Sequence, residues 1–575
     1  MKTKADSAGG FVRFYLLLAA GMVCAWLAFP PFGLPWGGFV SLSCFVAAAL
    51  REPRPRFAWL ALWAVGTLFW LFEVHFLRYP HPINYLLVFL LALYLGAYIP
   101  IWSGLLRFFV KKVSPARRVW AILFFAPCLW AACDVARAWI VGLPVSGACH
   151  AFYRVPIMIQ TADILGEWGT SAIFMLISTC AALLVVPHWS PAPKAAATRM
   201  IALGVGVVAL GFVLSYGFFR LHQTNENPPR GRIVLLQGNV PAALEVTPEL
   251  RRATDETYDR VLRLAVEACE KEGKNADLVV FPESIYREMV LFAQEKPWQP
   301  EGLVNHDGTP MSYETFARRL PEAVEYSHLN FLQWSSRANA SVLSGGTVLF
   351  YTQDDVKIYN SAILAPLGAN EIQRDEGTYG KMHLVMFGEY IPFMDFLTRL
   401  CPTLEELAPI GNTTPGERPK VFSIQTSDGD RLSICPNICF ESVMGRLIRK
   451  QVATLREAGQ NPDCLINLTN NGWFGRSHAQ ELHLACGVLR AVENRLPLLV
   501  SANNGISAAI TSNGVIEQEV PPREEGFLLT TVQKDDRRTF FTRFGGVAQL
   551  LPFLALVACW GVLSVRGKSN VPQVE

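Results

Sequence analysis

Three residues whose types suit acyl transfer through sulfur lie at the ends of apolar segments. Cys439 follows Arg431–Ile438, a segment typical of a short buried strand. Glu283 ends another apolar run, and Lys381 opens the run K-M-H-L-V-M-F-G-E-Y-I-P. A thiol can act as nucleophile, a carboxylate can take its proton, and an ammonium can stabilise the oxyanion that forms. Each residue alone more often has a structural role, so this chemistry requires all three to meet.

The expected roles follow from ordinary acid–base chemistry. A free thiol with a pKa of ~8.5 is only a few per cent thiolate at neutral pH, so Cys439 needs a base, and Glu283 is the candidate. We expect Lys381 to lower the pKa of the thiol by its charge and to bind the tetrahedral oxygen. Cys435 is a rival nucleophile that we expect to be packing, and His383 is a rival base that we expect to be a structural hydrogen-bonder.

The order of the three residues, in these local contexts, resembles the nitrilase superfamily. The resemblance is greatest to its membrane-bound branch, the apolipoprotein N-acyltransferases. The run K-x-H-L-V-x-F-G-E-Y-x-P is far more specific than any single residue. A second match comprises N-N-G-W-F-G from Asn470, R-A-x-E from Arg490 and S-A-N-N-G-I from Ser501. The resemblance covers nearly the whole chain and is strongest over residues 233–531.

The resemblance implies a set of site residues. The catalytic residues are then Glu283, Lys381 and Cys439, and the supporting residues are Glu389, Glu441, Phe440 and Trp473. Glu389 is expected to hydrogen-bond Lys381 or the proton in transit. Glu441 has either an orienting or a plain structural role, and Trp473 is expected in the core or in the pocket wall.

Three positions depart from the pattern of the family. Phe440 stands where the family usually has Tyr, so no hydroxyl is available there. Val246 stands where a Trp is frequent, and Val145 ends G-L-P-V where the family has Gly-Phe-Pro-Trp. These departures weaken the analogy for the acyl pocket and for lipid contact.

Composition indicates a membrane protein with a large soluble part. The chain has 575 residues, too many for one ordinary domain, and is 17% charged and 51% hydrophobic. A net charge of +3 gives no indication of a nucleic-acid partner. The 13 cysteines lack C-x-x-C spacing, so neither a zinc site nor a disulfide scaffold is predicted, and we expect no metal or cofactor.

Eight apolar segments are candidates to cross a bilayer, and the second is the shortest. The predicted spans are residues 11–29, 34–50, 57–77, 83–106, 119–141, 170–187, 200–219 and 547–565. Basic residues in 51–56, 107–118, 188–199 and the tail alternate with charge-poor connections. The positive-inside rule then places both termini in the cytoplasm and the large region after the seventh span outside it.

Two ionisable residues lie inside the fifth apolar segment. Asp134 and Arg137 are costly there unless they pair or face a cavity. Their spacing of three residues on a helix predicts a mutual ion pair.

The chain is expected to form three regions. They are a helical membrane domain over 1–224, a nitrilase-like catalytic domain over 225–540, and a last span with a short cytoplasmic tail over 541–575. Thr247 is expected to cap a helix that begins at Pro248. Strands are predicted over 232–238, 277–283, 341–350, 361–365, 421–426, 431–438, 463–468, 498–502 and 508–511, with a helix over 479–493. This alternation predicts an α/β domain, and the resemblance specifies a four-layer α-β-β-α sandwich.

Two further segments are candidates to cover the site. Residues 286–323 match no part of the family and include Phe292, Trp298 and Phe316, which favours a lid or a membrane-contacting arm. Residues 397–414 mix apolar residues with turns, which is typical of a mobile loop over an active site.

By the resemblance, the chain transfers a fatty acyl group from a phospholipid to the α-amine of a diacylglyceryl-cysteine apolipoprotein, the last step of lipoprotein maturation. One alternative is a membrane-anchored amidase that uses water as the acceptor. Another is a catalytically inactive membrane receptor or scaffold. The complete Glu, Lys and Cys set argues against inactivity, and the many spans argue against a hydrolase of small nitriles. We expect a monomer in the bacterial inner membrane with its catalytic domain on the periplasmic side.

Overall fold

The computed structural model describes residues 4–568 apart from positions 53, 81, 186–194, 224, 244–246, 306–308, 387, 391–398 and 400–412. Val246 therefore lies outside the described residues. So does the expected loop over 397–414, except for Arg399, Thr413 and Thr414.

The first part of the chain is helical. Its helices are α1 (Lys4–Ala28), α2 (Gly37–Leu50), α3 (Ala58–Val74), α4 (Asn84–Gly96), α5 (Tyr98–Lys112), α6 (Arg118–Ile140), α7 (Pro156–Ile159), α8 (Ala162–Val185) and α9 (Ala195–Leu221). Among the described residues, seven helical segments are long and apolar enough to cross a membrane. Six of them lie in this region, and the seventh is Phe540–Trp560 near the other end of the chain.

Helix α2 is shorter than the predicted second span. Its 14 residues rise by about 21 Å, less than the ~30 Å of a hydrocarbon core. Even so, Arg51 at its end donates from Nε to the carbonyl oxygen of Gly10 at 3.1 Å. The chain has therefore returned to the level at which α1 begins, as a complete span would require.

Two of the basic connections lie on the same face of the helical region. Arg54 donates from Nη2 to the Ser103 hydroxyl at 2.8 Å. Arg107 donates from Nη1 to the carbonyl oxygen of Ala49 at 2.8 Å. The ends of α2 and α5 are thus neighbours, as the predicted alternation of basic and charge-poor connections requires.

The intramembrane ion pair is confirmed. Arg137 Nη2 lies 3.2 Å from Asp134 Oδ1. The same guanidinium donates from Nη1 to the carbonyl oxygen of Val145 at 2.6 Å and lies over the ring of Trp70. These contacts satisfy a cation that hydrocarbon alone could not accommodate.

The second part of the chain contains thirteen strands among its described residues. They are β1 (Pro229–Gln237), β2 (Leu278–Val280), β3 (Tyr286–Ala293), β4 (Ser341–Tyr351), β5 (Val356–Ala365), β6 (Thr378–Gly380), β7 (Phe422–Gln425), β8 (Arg431–Ile438), β9 (Cys464–Thr469), β10 (Leu498–Ala502), β11 (Ser507–Ile510), β12 (Ile516–Val520) and β13 (Gly526–Gln533). One sheet has the order β13-β1-β2-β4-β5-β6, with β3 also paired to β4. The other has the order β12-β11-β10-β9-β8-β7.

Helices cover the outer faces of the two sheets. The remaining helices are α10 (Pro248–Lys271), α11 (Tyr313–Ala338), α12 (Arg374–Gly377), α13 (Gly445–Glu457), α14 (Ala479–Asn494), α15 (Phe540–Ala548) and α16 (Leu551–Lys568). Helices α10 and α11 pack on the first sheet, and α13 and α14 pack on the second. The predicted four-layer sandwich is confirmed.

The inner faces of the sheets share one apolar core. Buried side chains of the first sheet meet those of the second, and they include Ile233, Val280, Leu343, Ile434, Ile466 and Leu468. Each such side chain contributes roughly 1.5–3 kcal/mol when it leaves water. This core fixes the strand ends from which the site is built.

Several local predictions are confirmed, and one strand differs. Strand β8 has the predicted bounds, and the Thr247 hydroxyl caps α10 by accepting from Leu250 N at 3.2 Å. The strand predicted over 277–283 ends at Val280, and pairing with β4 resumes only at Tyr286. Glu283 lies in the interruption, where a turn frees its side chain from the sheet.

The described residues of the segment 286–323 do not form a lid over the site, and its contact with a membrane stays a prediction. Tyr286–Ala293 is a strand of the first sheet, and Phe292 and Phe316 are buried. Trp298 is 40% exposed, and its backbone N–H donates to the carbonyl oxygen of Thr352. Thr352 lies past the end of β4, roughly 20 Å from the part of that strand beside Glu283. Trp298 therefore cannot cover the site.

Buried ion pairs join the helical region to the sandwich. Arg490 Nη2 lies 2.8 Å from Glu167 Oε2, and Arg495 Nη2 lies 2.7 Å from Asp163 Oδ2. Between the two acidic residues, Gly166 has a φ of +69°, and a Cβ there would lie 2.3 Å from the ring of Phe541. Glycine is required at this turn of α8 for both reasons. The domain boundaries at 224 and 540 stay predictions.

Candidate active site

The three predicted catalytic side chains come from both sheets. Glu283 lies in the break between β2 and β3, and Lys381 directly follows β6. Cys439 directly follows β8 and begins the 3₁₀ turn Cys439–Val443. Glu283 and Lys381 are buried, with 6% and 2% of their surfaces exposed. The fold thus brings together three residues that are far apart in the chain.

Lys381 lies between two carboxylates. Its Nζ is 3.0 Å from Glu389 Oε1 and 3.4 Å from Glu283 Oε1. Burial alone would lower the pKa of the Lys381 ammonium, but the negative charges of Glu283 and Glu389, and that of Cys439 once it ionises, outweigh burial and raise that pKa. Lys381 is therefore a fixed cation, and the expected contact with Glu389 is confirmed.

Asn360 is a member of this cluster that the sequence reasoning missed. Its Nδ2 donates to Oε1 of Glu283 at 2.9 Å and to Oε1 of Glu389 at 2.9 Å. Its carbonyl oxygen accepts from Lys381 N at 2.8 Å. The available signal was an amide beside Ser361, just before the apolar run A-I-L-A of β5.

The backbone also holds the candidate base in place. Glu283 Oε2 accepts from Asn470 N at 3.1 Å, and Asn470 belongs to the N-N-G-W-F-G motif. On the opposite side, a Cβ at Gly345 would lie 2.5 Å from the Glu283 Cα. Glycine at this position lets β4 approach the turn that carries the carboxylate.

Cys439 has an unusual backbone conformation and an unusually weak acidity. Its φ is +52°, in the left-handed region that non-glycine residues rarely adopt. Burial first, and then the Glu283 charge, raise the pKa of the Cys439 thiol to about 12, although Lys381 acts in the opposite direction. The charge of Lys381 lowers this pKa as expected, but burial outweighs it, so the net shift is upward. The resting thiol is neutral, and its proton must leave as the sulfur attacks.

Glu441 connects the segment of Lys381 to the strand of Cys439. Its carboxylate accepts from the backbone N–H groups of Met382, His383 and Ile438 at 2.7, 3.1 and 2.8 Å. The hydroxyl of Tyr379 donates to the same carboxylate at 2.9 Å. An acceptor with these partners joins the two chain segments, and whether it also orients the reacting groups stays a prediction.

The other predicted residues surround the nucleophile. The ring of Phe440 stacks beside His383, with ring centroids 6.5 Å apart. Trp473 is partly exposed in the turn Asn471–Phe474, which favours the pocket wall over the core. Cys435 is 1% exposed within the apolar core, which confirms the packing role predicted for it.

The nucleophile turn lies against the membrane helices. Phe440 and Val443 belong to the same apolar cluster as Trp70 and Val74 of α3. The cluster also includes Val145, the position where the chain departs from the pattern of the family. Apolar packing therefore continues from the helical region to the residue next to Cys439.

Two family models match the chain. The carbon-nitrogen hydrolase model matches residues 242–540, which is more than half of the chain. The model of the apolipoprotein N-acyltransferase N-terminal domain matches residues 20–180. The two matches fall on the sandwich and on the helical region respectively.

Curated proteins of similar sequence carry the name apolipoprotein N-acyltransferase. One from Geobacter metallireducens is 29% identical over 547 residues, covering 93% of this chain and 92% of the relative. One from Rhodopirellula baltica is 27% identical over 560 residues, covering 92% of this chain and 93% of the relative. Among solved structures, an amidase from Nesterenkonia sp. is 17% identical with a TM-score of 0.32, covering 54% of this chain and 94% of the amidase.

The matches extend over both parts of the molecule and agree with its two architectures. Seven helical segments among the described residues are long and apolar enough to cross a membrane, and the matched relatives are bacterial. The chain is therefore a bacterial membrane protein. It belongs to the carbon-nitrogen hydrolase family, in which it is a member of the apolipoprotein N-acyltransferase branch.

Proposed function

We propose that this protein transfers a fatty acyl group from a phospholipid to the N-terminal α-amine of a diacylglyceryl-cysteine apolipoprotein. The transfer proceeds through a thioester on Cys439 and completes lipoprotein maturation. The observation that carries the proposal is the contact between the nucleophile turn and the membrane helices. Phe440 and Val443 pack with Trp70 and Val74, so the turn that carries the thiol lies against the membrane helices, close to the lipids that surround them.

In the first half-reaction, Glu283 takes the proton of the Cys439 thiol while the sulfur attacks the carbonyl carbon of the phospholipid ester. Lys381 stabilises the oxyanion, and such a donor is typically worth ~2.7–4 kcal/mol of barrier. The N–H of Phe440 is a second donor, because it has no hydrogen-bond partner among the described residues. The C–O bond then breaks, and Glu283 returns the proton to the departing lysophospholipid.

In the second half-reaction, the neutral α-amine of the acceptor attacks the thioester carbon. Glu283 takes the proton that the nitrogen loses, and the C–S bond breaks as the tetrahedral intermediate collapses. The proton then passes to the Cys439 sulfur, which restores the thiol. The products are an amide and the free enzyme, so no proton or electron is left over.

The alternative functions fit these observations less well. An amidase that uses water has no need for a nucleophile turn packed against membrane helices. An inactive receptor has no need for a buried carboxylate, ammonium and thiol whose charges act on one another. The lipid-dependent transferase accounts for both features.

The test separates transfer from hydrolysis. Purified protein is loaded with phospholipid and then mixed with a lipopeptide that carries a free α-amine. We expect ping-pong kinetics with lysophospholipid released first, and rapid discharge of the acyl group to the lipopeptide. An N-acetylated lipopeptide should not discharge it. Release of free fatty acid at the same rate with and without the lipopeptide would show a hydrolase.

We place the protein in the bacterial inner membrane, as a monomer with the sandwich on the periplasmic side. The alternation of basic and charge-poor connections supports this orientation. Asp428 is exposed in the turn between β7 and β8, so a cysteine introduced there is accessible. We expect an impermeant thiol reagent to label this cysteine in cells whose outer membrane has been removed and whose inner membrane is intact. Labelling only after lysis would reverse the orientation.

A further inference from the structure

The carbonyl oxygen of Cys439 is surrounded by hydrogen-bonding side chains. Asn467 donates to it from Nδ2 at 3.1 Å, and the Ser442 hydroxyl donates at 3.2 Å. The Nε2 atom of His483 lies 3.1 Å from the same oxygen and 2.6 Å from the Ser442 hydroxyl. Because the φ of Cys439 is +52°, its backbone needs such contacts to remain in this conformation.

The surroundings of His483 determine which ring nitrogen carries the proton. Its Nδ1 lies 3.2 Å from the Nδ2 of Asn471, which is an amide group that can only donate. On the other side of the ring, the carbonyl oxygen of Cys439 can only accept, so Nε2 must be the donor in the 3.1 Å contact between them. Nδ1 therefore accepts, and the hydrogen on Nε2 is shared between the Cys439 carbonyl oxygen and the Ser442 hydroxyl oxygen, which itself donates to that carbonyl. Burial, with a further contribution from Lys381, lowers the pKa of His483 to about 4, so the ring is neutral at physiological pH.

Fixing this carbonyl also fixes the neighbouring N–H. The Cys439 carbonyl and the Phe440 N–H belong to one planar trans peptide, so they point in opposite directions. With the oxygen held toward Asn467, Ser442 and His483, the N–H points away from them. There it has no acceptor among the described residues, so it is available to an oxyanion.

We propose that His483 is a positioning residue for the acyl-transfer reaction. Its Nε2–H holds the Cys439 carbonyl, keeps the nucleophile in its left-handed conformation and directs the Phe440 N–H toward the oxyanion. The proposal rests on the proposed function, because it assumes that Cys439 forms a tetrahedral intermediate. It does not depend on which acyl donor or acceptor is used.

Two amide variants separate the roles of the ring nitrogens. The amide nitrogen of His483→Gln can reach the position of Nε2, whereas the shorter His483→Asn reaches only the position of Nδ1. The full-length protein is assayed with a p-nitrophenyl ester, whose burst reports acylation through an oxyanion. Iodoacetamide alkylates the same thiol without forming an oxyanion, so its rate reports only the accessibility and reactivity of the thiol.

We expect His483→Gln to acylate within about threefold of the wild type and His483→Asn to acylate roughly 10- to 100-fold more slowly, since complete loss of an oxyanion donor costs ~10²–10³ in kcat. Alkylation should stay within about threefold in both variants. His328→Gln is the matched control, since the Nε2 of His328 contacts the carbonyl oxygen of Leu291 at 2.9 Å, away from the site. Equal acylation by the Gln and Asn variants, or a parallel loss of acylation and alkylation, would overturn the proposal.

The tautomer of His483 can also be measured in the wild-type protein, so this check does not depend on the folding of a variant. Nitrogen NMR of protein labelled with ¹⁵N-histidine should show His483 as the neutral tautomer with its proton on Nε2. A proton on Nδ1 would refute the inference. A wild type that forms the ester-derived acyl-enzyme but no lipid-derived one would refute the lipid transfer and leave the role of His483 intact.

Discussion

The ammonium nitrogen of Lys381 lies 3.0 Å from a carboxylate oxygen of Glu389. Glu389 also accepts from Val385 N at 2.8 Å. Its carboxylate therefore links the Lys381 ammonium to the backbone that follows Lys381. We expect Glu389→Gln to lower the kcat of acylation by roughly 10- to 100-fold, since a neutral amide attracts the ammonium less strongly than a carboxylate does.

Lys381→Met should lower the kcat of acylation by about 10²–10³, which is the cost of removing an oxyanion donor.

The comparison is made by single-turnover acylation, with the exposed Glu417→Gln as the control for the change of charge. Both site variants should keep a substrate KM near that of the wild type, because the lost interaction acts on the transition state. Turnover by Lys381→Met at the rate of the wild type would remove Lys381 from the mechanism.

The pH dependence of thiol alkylation tests the acidity of the nucleophile. Because the pKa of Cys439 is raised to about 12, the thiolate fraction should rise about tenfold per pH unit without levelling off below about pH 10. Glu283 raises this pKa and Lys381 lowers it. Glu283→Gln should therefore speed alkylation at a given pH, while Lys381→Met should slow it.

The same Glu283→Gln variant should lose acylation, because it no longer has a base for the proton. Opposite effects of one substitution on alkylation and acylation would be hard to obtain from a misfolded site. A pH profile for the wild type that levels off below about pH 9 would show that the thiol is more acidic than its burial implies.

Glu441→Gln tests whether the group that links the Lys381 segment to the Cys439 strand must be a carboxylate, which only accepts hydrogen bonds. The carboxylate accepts from four donors, three of them backbone N–H groups and the fourth the Tyr379 hydroxyl. An amide nitrogen in its place would face donors and leave one or two of them unpaired, each at a cost of about 1–3 kcal/mol. The midpoint of thermal unfolding in detergent should fall relative to that of Glu417→Gln. An unchanged midpoint would show that the carboxylate is not needed for this connection.

Local patterns in the sequence were sufficient for some elements of the fold. Strand β8 was predicted with its observed bounds because an apolar run ends where the chain turns into Cys439. The cap at Thr247 was predictable because a hydroxyl before Pro248 is a local signal. The membrane helices were found from hydropathy, which also depends only on neighbouring residues.

Contacts between distant residues were not predictable in this way. The role of Asn360 depends on Glu283, from which it is separated by 77 residues, and the contact of His483 with Cys439 spans 44 residues. The short helix α2 still returns the chain to the level of Gly10, which hydropathy alone does not indicate. The apolar character of Trp298 predicts a covering segment, but it does not indicate which end of the sheet the residue joins.

The central claim is that Cys439, and not Cys435, carries the acyl group. Intact-mass spectrometry of the full-length protein, incubated with phospholipid and without acceptor, tests it most directly. The wild type and Cys435→Ala should gain the mass of one fatty acyl group, and hydroxylamine should remove it, as expected for a thioester. Cys439→Ala should gain none. An acyl mass on Cys439→Ala, or its absence from Cys435→Ala while the wild type is acylated, would contradict the assignment.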